Sequence, residues 1–204
     1  MKIKLTKGEL KKQRDALRQY RRYLPTLQLK KQQLQLEILH QHNLLDESRH
    51  NLEIKKKAAL NWAGFIGEDK GNLRKFIFPE QVSTGKKNIA GVDIPVFEKA
   101  DFKTADYDLF LAPLWLDAAI EALRQMISLR EEMKVTEQGI DILKHELRIT
   151  TQRVNLFEKV KIPEAEEAIR LIKIYIGDQM ANAVGRSKIA KAKIEENVLA
   201  GAAA

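Results

Sequence analysis

The fold of this chain is decided by Leu143-Lys-His-Glu-Leu-Arg-Ile-Thr-Thr-Gln-Arg153-Val-Asn-Leu-Phe-Glu158. Residues spaced alternately by three and four positions run along this stretch and just before it: Ile140, Leu143, Leu147, Thr150, Val154 and Phe157. Such spacing is typical of the seam along which two helices pack in a coiled coil. We therefore predict a long helix here that needs a partner helix. On the same heptad, Arg153 falls at position g and Glu158 at position e, which flank the interface.

The seam continues beyond Pro163 with a change of phase, one position over, at Ala165, Ile169, Ile172 and Ile176. A proline removes one backbone N–H donor from a helix and usually bends it, so a bend is expected near this residue. The helical pattern as a whole runs from about Pro113 to Asn197.

A second long helical pattern runs from about Leu5 to Trp62. Its seam consists of Leu17, Tyr20, Leu24, Leu27, Lys31, Leu34, Ile38, Gln41, Leu45, Ser48 and Leu52. Four leucines lie off this seam, at 29, 36, 39 and 44, which indicates that the helix contacts more than one partner. Pro25 is expected to kink the helix or to restart it.

The segment between the two helices has the composition of strands and turns. Lys75–Phe78 and Asn88–Phe97 are rich in β-branched and aromatic residues, and Ser83–Lys87 between them is a plausible turn. We therefore predict a β-hairpin at an edge position, because Pro79 and Pro95 lack an N–H donor. Gly91 within the second strand suggests a bulge or a close backbone contact.

These elements predict a mainly α fold: a long antiparallel two-helix coiled coil with a small central segment containing a β-hairpin. The predicted segments are 1–62, the N-terminal helix; 63–113, the central segment; 114–198, the C-terminal helix; and 199–204, a flexible tail. If the two chain ends lie together, paired residue numbers add to about 200. Leu45 would then face Thr151, Val154 or Phe157, residues 1–22 would lie beside residues 185–197, and residues 114–137 would be free to pack on the central segment.

The residues offer no catalytic, cofactor or metal site. The chain has no cysteine, which excludes disulfides and thiolate ligands. His40 and His42 are two positions apart and point to different sides of a helix, so they cannot share a metal. No run of 18 apolar residues predicts a membrane span. The basic N-terminus is not followed by an apolar segment, so we expect no secretory signal.

Three stretches resemble one family, the D subunit of V-type and A-type rotary ATPases. Arg153-Val-Asn-Leu-Phe-Glu158 followed by Ile162-Pro163 resembles its "R-V-N-x-x-E … I-P" segment. Arg14-Asp15-Ala-Leu17 resembles its N-terminal "K-R-D-x-L" helix, with Gln13 in place of the lysine. Asn88-Ile-Ala-Gly-Val-Asp-Ile-Pro95 resembles its central "N-I-x-G-V-x-x-P" strand. The end of the chain departs from the family pattern at Gly177–Lys191.

The resemblance implies a non-catalytic central-stalk subunit that transmits torque between the ATP-handling ring of A and B subunits and the ion-translocating rotor in the membrane. The implied partners are the A and B subunits, the F subunit and the adaptor on the membrane ring, on the cytoplasmic side of a membrane-bound complex. No cofactor is implied. The candidate partner contacts are Lys11, Lys12, Arg14, Arg18, Arg21, Asn88, Gly91, Pro95, Arg153, Asn155 and Glu158.

The charge distribution keeps two other classes of protein open. The net charge is +8, and residues 1–22 alone hold nine Lys and Arg against two Asp and Glu. A basic helix is also typical of nucleic-acid-binding arms, although aromatic residues make up only 6% of the chain. A scaffold coiled coil is the third alternative. Salt-dependent RNA binding by the isolated chain would favour the second class, and self-association without partners would favour the third.

Overall fold

A computed structural model describes residues 4–61, 64, 76–104 and 113–202, with side chains as far as Val198. Its elements are α1 (Lys7–Leu60), β1 (Pro79–Ile89), β2 (Val92–Phe102), α2 (Leu116–Leu156), a π-helical turn (Phe157–Lys161) and α3 (Ile162–Ala202). The prediction of a mainly α fold with two long helical stretches and a two-stranded antiparallel sheet between them is confirmed. Two structural units make up the chain, Leu29–Thr151 and the combination of Met1–Gln28 with Gln152–Ala204.

Local sequence explains where α1 begins and which face it buries. The Thr6 hydroxyl accepts a hydrogen bond from the Glu9 N–H at 3.3 Å, which satisfies one of the free donors of the first turn. The helix then continues through Pro25 without interruption. All eleven predicted seam positions of α1 are buried or half-buried, whereas the off-seam leucines 29, 36, 39 and 44 are exposed. The 3-4 spacing thus identified the packed face correctly.

In the unit Leu29–Thr151, α1 and α2 run antiparallel, as predicted, but in a different register. Three side-chain pairs define it: Lys30 with Glu146 at 2.9 Å, Arg49 with Glu137 at 3.1 Å, and Lys55 with Gln125 at 2.6 Å. The paired residue numbers add to between 176 and 186. The predicted sum of about 200, and with it Leu45 opposite residues 151–157, is therefore wrong.

The hairpin is present, but its turn is not the predicted one. β1 runs through residues 83–87, with only a register shift between Ser83 and Thr84, and the strands connect at Ala90 and Gly91. Both turn residues have positive φ, 51° and 77°, as a two-residue hairpin turn matched to strand twist requires. Gly91 serves that turn and not a bulge. Phe76 and Ile77 lie in a helical turn before β1, so the predicted first strand at 75–78 is wrong for its described residues, and Lys75 lies outside them.

The hairpin lies along α2 and is attached at both ends. Near its turn, Ile94 is 2% exposed and forms a buried cluster with Leu34 of α1 and Leu143 of α2, both 0% exposed. Near its base, Phe76 packs on Leu116 and Ile120 of α2. Eleven strand residues span about 36 Å, and the helix rises about 35 Å over the 23 steps from Ile120 to Leu143, so the two elements match in length. The segment Asn88–Phe97 packs on α2, but its contacts there are at Gly139 and Leu143, beyond the predicted stretch 114–137.

In the unit formed by Met1–Gln28 and Gln152–Ala204, α1 contacts the π turn and the beginning of α3. The Tyr20 ring stacks on Phe157 with centroids 5.4 Å apart, and Arg21 donates to Glu166 at 2.6 Å. The paired numbers add to 177 and 187. The predicted placement of residues 1–22 beside residues 185–197 is therefore wrong. Tyr20 and Arg21 lie beside the π turn and the start of α3, and every residue from 177 to 198 is exposed.

Candidate interaction surfaces

The described residues contain no group of three or more His, Cys, Asp or Glu side chains that could hold a metal ion. None of the described helices is long and apolar enough to cross a membrane. The candidate residues are instead surface groups, and the structure places them in three separate sets.

The first set is the basic group of α1: Lys11, Lys12, Arg14, Arg18 and Arg21, all of them exposed. Arg21 is neutralised by Glu166 at 2.6 Å. The other four cations have no ion-pair partner in the described part of the chain. Three of the arginines, with Leu17, line a shallow groove of about 330 Å³. Because the excess charge is exposed and unneutralised, this surface favours an acidic partner and repels a second basic surface.

The second set is at the hairpin turn. Asn88 holds the turn: its Oδ1 accepts from the Gly91 N–H at 3.2 Å, and its Nδ2 donates to Asp93 Oδ1 at 2.5 Å. Asn88 and Gly91 are exposed and Pro95 is half-buried, with its carbonyl oxygen 3.7 Å from the position that a Cβ would take at Gly139. These three residues therefore have a structural role in shaping the turn and seating it on α2.

The third set consists of Arg153, Asn155 and Glu158, the polar residues at the end of the stretch Leu143–Glu158. All three are exposed, and the hydrogen bonds and ion pairs of the described residues involve none of them. Arg153 and Asn155 are two positions apart and so point to different sides of the helix, while Glu158 lies in the π turn. The structure does not bring them to one face. Whether any of them contacts a partner stays a prediction.

A further exposed surface in the described part of the chain was not predicted from the sequence. We call residues 177–198 of α3 the C-terminal extension; each is exposed, although the stretch is helical throughout. It carries large apolar side chains with exposed fractions between 56% and 65%: Met180, Val184, Ile189, Ile194 and Val198. A helix without tertiary packing is marginal in water. One feature of the sequence could have predicted this extension: the second helical pattern is longer than the first. Its surplus residues lie at its C-terminal end and not at its beginning.

Arg124 of α2 makes several contacts but was not among the residues singled out from the sequence. Its Nε donates to the Phe76 carbonyl at 2.9 Å, another guanidinium nitrogen donates to the Lys103 carbonyl, and its guanidinium lies 5.4 Å from the centre of the Phe102 ring. These contacts join the segments before β1 and after β2 to α2. No local sequence signal marks this arginine, because its partners are backbone carbonyls brought together only by strand pairing.

The exposed ion pair of Glu167 and Arg170 shifts the pKa of both of its members. Arg170 donates two hydrogen bonds to Glu167, at 2.6 and 2.8 Å. These bonds lower the pKa of the Glu167 carboxyl; desolvation opposes them, and the positive charge of Arg170 adds to them. The same bonds raise the pKa of Arg170. The pair is local to one helical turn and marks no chemical site.

Two long helical stretches, a lateral hairpin, and exposed charged and large apolar side chains are typical of a helical subunit of an assembly. The chain matches the family described as the D subunit of ATP synthase over residues 9–192. It is 45% identical over 193 residues to the V-type ATP synthase D subunit of Borreliella burgdorferi, with 95% of each chain covered. It is 31% identical over 199 residues to that of Chlamydia pneumoniae, covering 96% of this chain and 94% of the relative. The chain belongs to the family of V-type ATP synthase D subunits.

Proposed function

We propose that this chain is the central rotor shaft of a V-type ATP synthase and carries torque between the ring of A and B subunits and the membrane rotor. It contributes no catalytic residue of its own. Its partners are the A and B subunits, the F subunit and the membrane-ring adaptor, and it works on the cytoplasmic side of the membrane.

The observation that carries this proposal is the C-terminal extension. Its five large apolar side chains are more than half exposed, and an unpaired helix of this length gains most of its stability only by packing. A surrounding surface contributed by other chains supplies that packing. Met180, Val184, Ile194 and Val198 lie along one side of the helix, and Ile189 lies on the opposite side. A ring that encloses the extension can cover both sides at once.

The basic group supports the same arrangement. Contacts between exposed charges each contribute about 0–1 kcal/mol and are screened by salt. Such contacts attract a shaft toward an acidic surface without locking it in one orientation. They are therefore suited to a part that must turn against its neighbours.

Rotation of this chain is the decisive test. The chain has no native cysteine, so a single cysteine replacing exposed Lys86 on the hairpin can carry a gold particle. The A and B ring is fixed to a surface, and the particle is followed under the microscope while ATP is hydrolysed. We expect continuous rotation in one direction. A stationary particle on complexes that hydrolyse ATP would show that the chain is not the rotor.

A matched pair of charge reversals tests the role of the basic group. Lys11→Glu with Lys12→Glu alters two adjacent exposed lysines of α1, and Lys56→Glu with Lys57→Glu alters an equivalent adjacent pair near the other end of the same helix. We expect only the first variant to weaken assembly with the A and B ring, and more at low salt than at high salt. Equal effects of the two variants would mean that the location of the charge is unimportant.

A further inference from the structure

The C-terminal helical stretch contains one irregular turn, at Phe157–Lys161. There the Ile162 N–H donates to the Phe157 carbonyl, five residues back in place of the usual four. A turn of this kind holds one extra residue. The residues that follow are therefore rotated by about 100° relative to an uninterrupted α-helix.

This rotation is what keeps the seam apolar. Continuing the 3-4 spacing from Phe157 would bring Lys161, Glu164, Ala168 and Leu171 to the seam. Of these, only Ala168 is buried; Glu164 is exposed and Leu171 is 41% exposed, whereas Ala165, Ile169 and Ile172, each one position later, are buried. The π turn is therefore required by the phase of the sequence, because a regular helix would place two charged side chains against α1.

Backbone hydrogen bonding is weakened on both helices in this part of the unit. Pro163 has no N–H to donate to the residue four before it, and Pro25 deprives the Arg21 carbonyl in the same way. The Arg21 side chain contacts Glu166, three residues beyond Pro163. The two weakened turns are thus on neighbouring stretches of α1 and the C-terminal helix.

Side chains are less buried within the π turn than on either side of it, where Val154 is 4% exposed and Ala165 is 3% exposed. None of the five residues of the π turn is buried. On α1 the buried residues are Leu34 and Leu45, both beyond Pro25. Few buried contacts and irregular backbone bonding lower the free energy of local opening. The rings of Tyr20 and Phe157 stack across this level, with centroids 5.4 Å apart.

We propose that the π turn, with the facing turn of α1 around Pro25, is a compliant joint that absorbs twist between the two helices. The joint is a property of this chain by itself. Its use, to store twist while torque passes along the shaft, rests on the proposed function.

The test removes the extra residue without changing the seam. Deletion of exposed Lys159 together with Pro163→Ala permits a regular α-helix in which Ala165, Ile169 and Ile172 still face α1. Pro163→Ala alone is the control, because it restores an N–H but leaves the extra residue. If the change of seam phase maintains the π turn, the control retains the turn, because its seam is unchanged. The combined variant loses the turn, because the extra residue is gone.

Amide hydrogen exchange of the isolated full chain is the first measurement. We expect residues 157–164 of the native chain to exchange at least about tenfold faster than residues 143–150. In the combined variant they should slow by about tenfold, and in the control they should change little. The proposed joint would be refuted if residues 157–164 of the native chain exchanged as slowly as residues 143–150. It would also be refuted if the control slowed their exchange as much as the combined variant.

The second measurement uses the complex, with the ring fixed and no ATP present. Angular fluctuations of a particle on the hairpin cysteine should be narrower for the combined variant than for the control. Unchanged fluctuations would refute a mechanical role for the joint. Absence of rotation with ATP would refute the proposed function alone, since the exchange result does not depend on it.

Discussion

Replacing Ile94 by Ala tests whether the hairpin is part of the core or a detachable appendage. Ile94 is 2% exposed and packs against Leu34 and Leu143, which are 0% exposed. The substitution removes three carbon groups, worth about 2.4 kcal/mol of transfer free energy, and leaves a cavity against two leucines. The measured range for comparable truncations is about 2–5 kcal/mol, so we expect a loss of about 3 kcal/mol.

The matched control is Val96→Ala, two residues further along the same strand. Val96 is 40% exposed, so its truncation should cost less than about 1 kcal/mol. Urea unfolding followed by circular dichroism measures both losses, and hydrogen exchange of β1 and β2 reports local release of the hairpin. If Ile94→Ala costs no more than Val96→Ala, the buried cluster does not hold the hairpin on the helices, and the assignment of Ile94 to the core is wrong.

Three single contacts give further predictions. Gly139→Ala should stabilise the chain by about 0.5–1 kcal/mol in urea unfolding, because the added Cβ would meet Pro95 O and Ile94 Cβ only at ordinary contact distances, 3.7 and 3.8 Å, and alanine is the better helix former. Cysteines replacing Lys30 and Glu146 should cross-link more readily on oxidation than cysteines at 45 and 154; the reverse result would restore the register with sums near 200. NMR titration should find the pKa of Glu167 below its ordinary value, and Arg170→Gln should raise it. Because that pKa is lowered by folding, the pair stabilises the fold above the unfolded pKa and loses its effect as pH falls through the folded one.

Local patterns in the sequence were sufficient for the helices and their packed faces. A 3-4 spacing is a property of consecutive residues, and burial follows it at every predicted seam position of α1 and at Ile140, Leu143, Thr150 and Val154 of α2. The change of phase after Pro163 is also visible in the sequence, and the π turn is its structural counterpart. The family resemblance rested on short motifs of the same local kind.

The axial register was decided only by tertiary packing. Sliding one helix along the other by a heptad, about 10 Å, keeps the same faces in contact. Periodicity therefore determines the face but not the offset. In the structure the offset is defined by particular pairs such as Arg49 with Glu137 and by the seating of Ile94 on Leu143. This offset is what leaves residues 177–198 exposed, without a partner helix in the described part of the chain.

The hairpin turn was decided in the same way. Ser83-Thr-Gly has the composition of a turn, yet it became a strand with a register shift, and Ala90–Gly91 formed the connection. The choice between these sites depends on which strand register buries Ile94 and lets Arg124 reach both the Phe76 and Lys103 carbonyls. Those contacts join residues far apart in the chain. Sequence determined the helices and their contact faces, and tertiary structure determined register, turn and unpaired surface, because only long-range contacts distinguish arrangements that share the same local pattern.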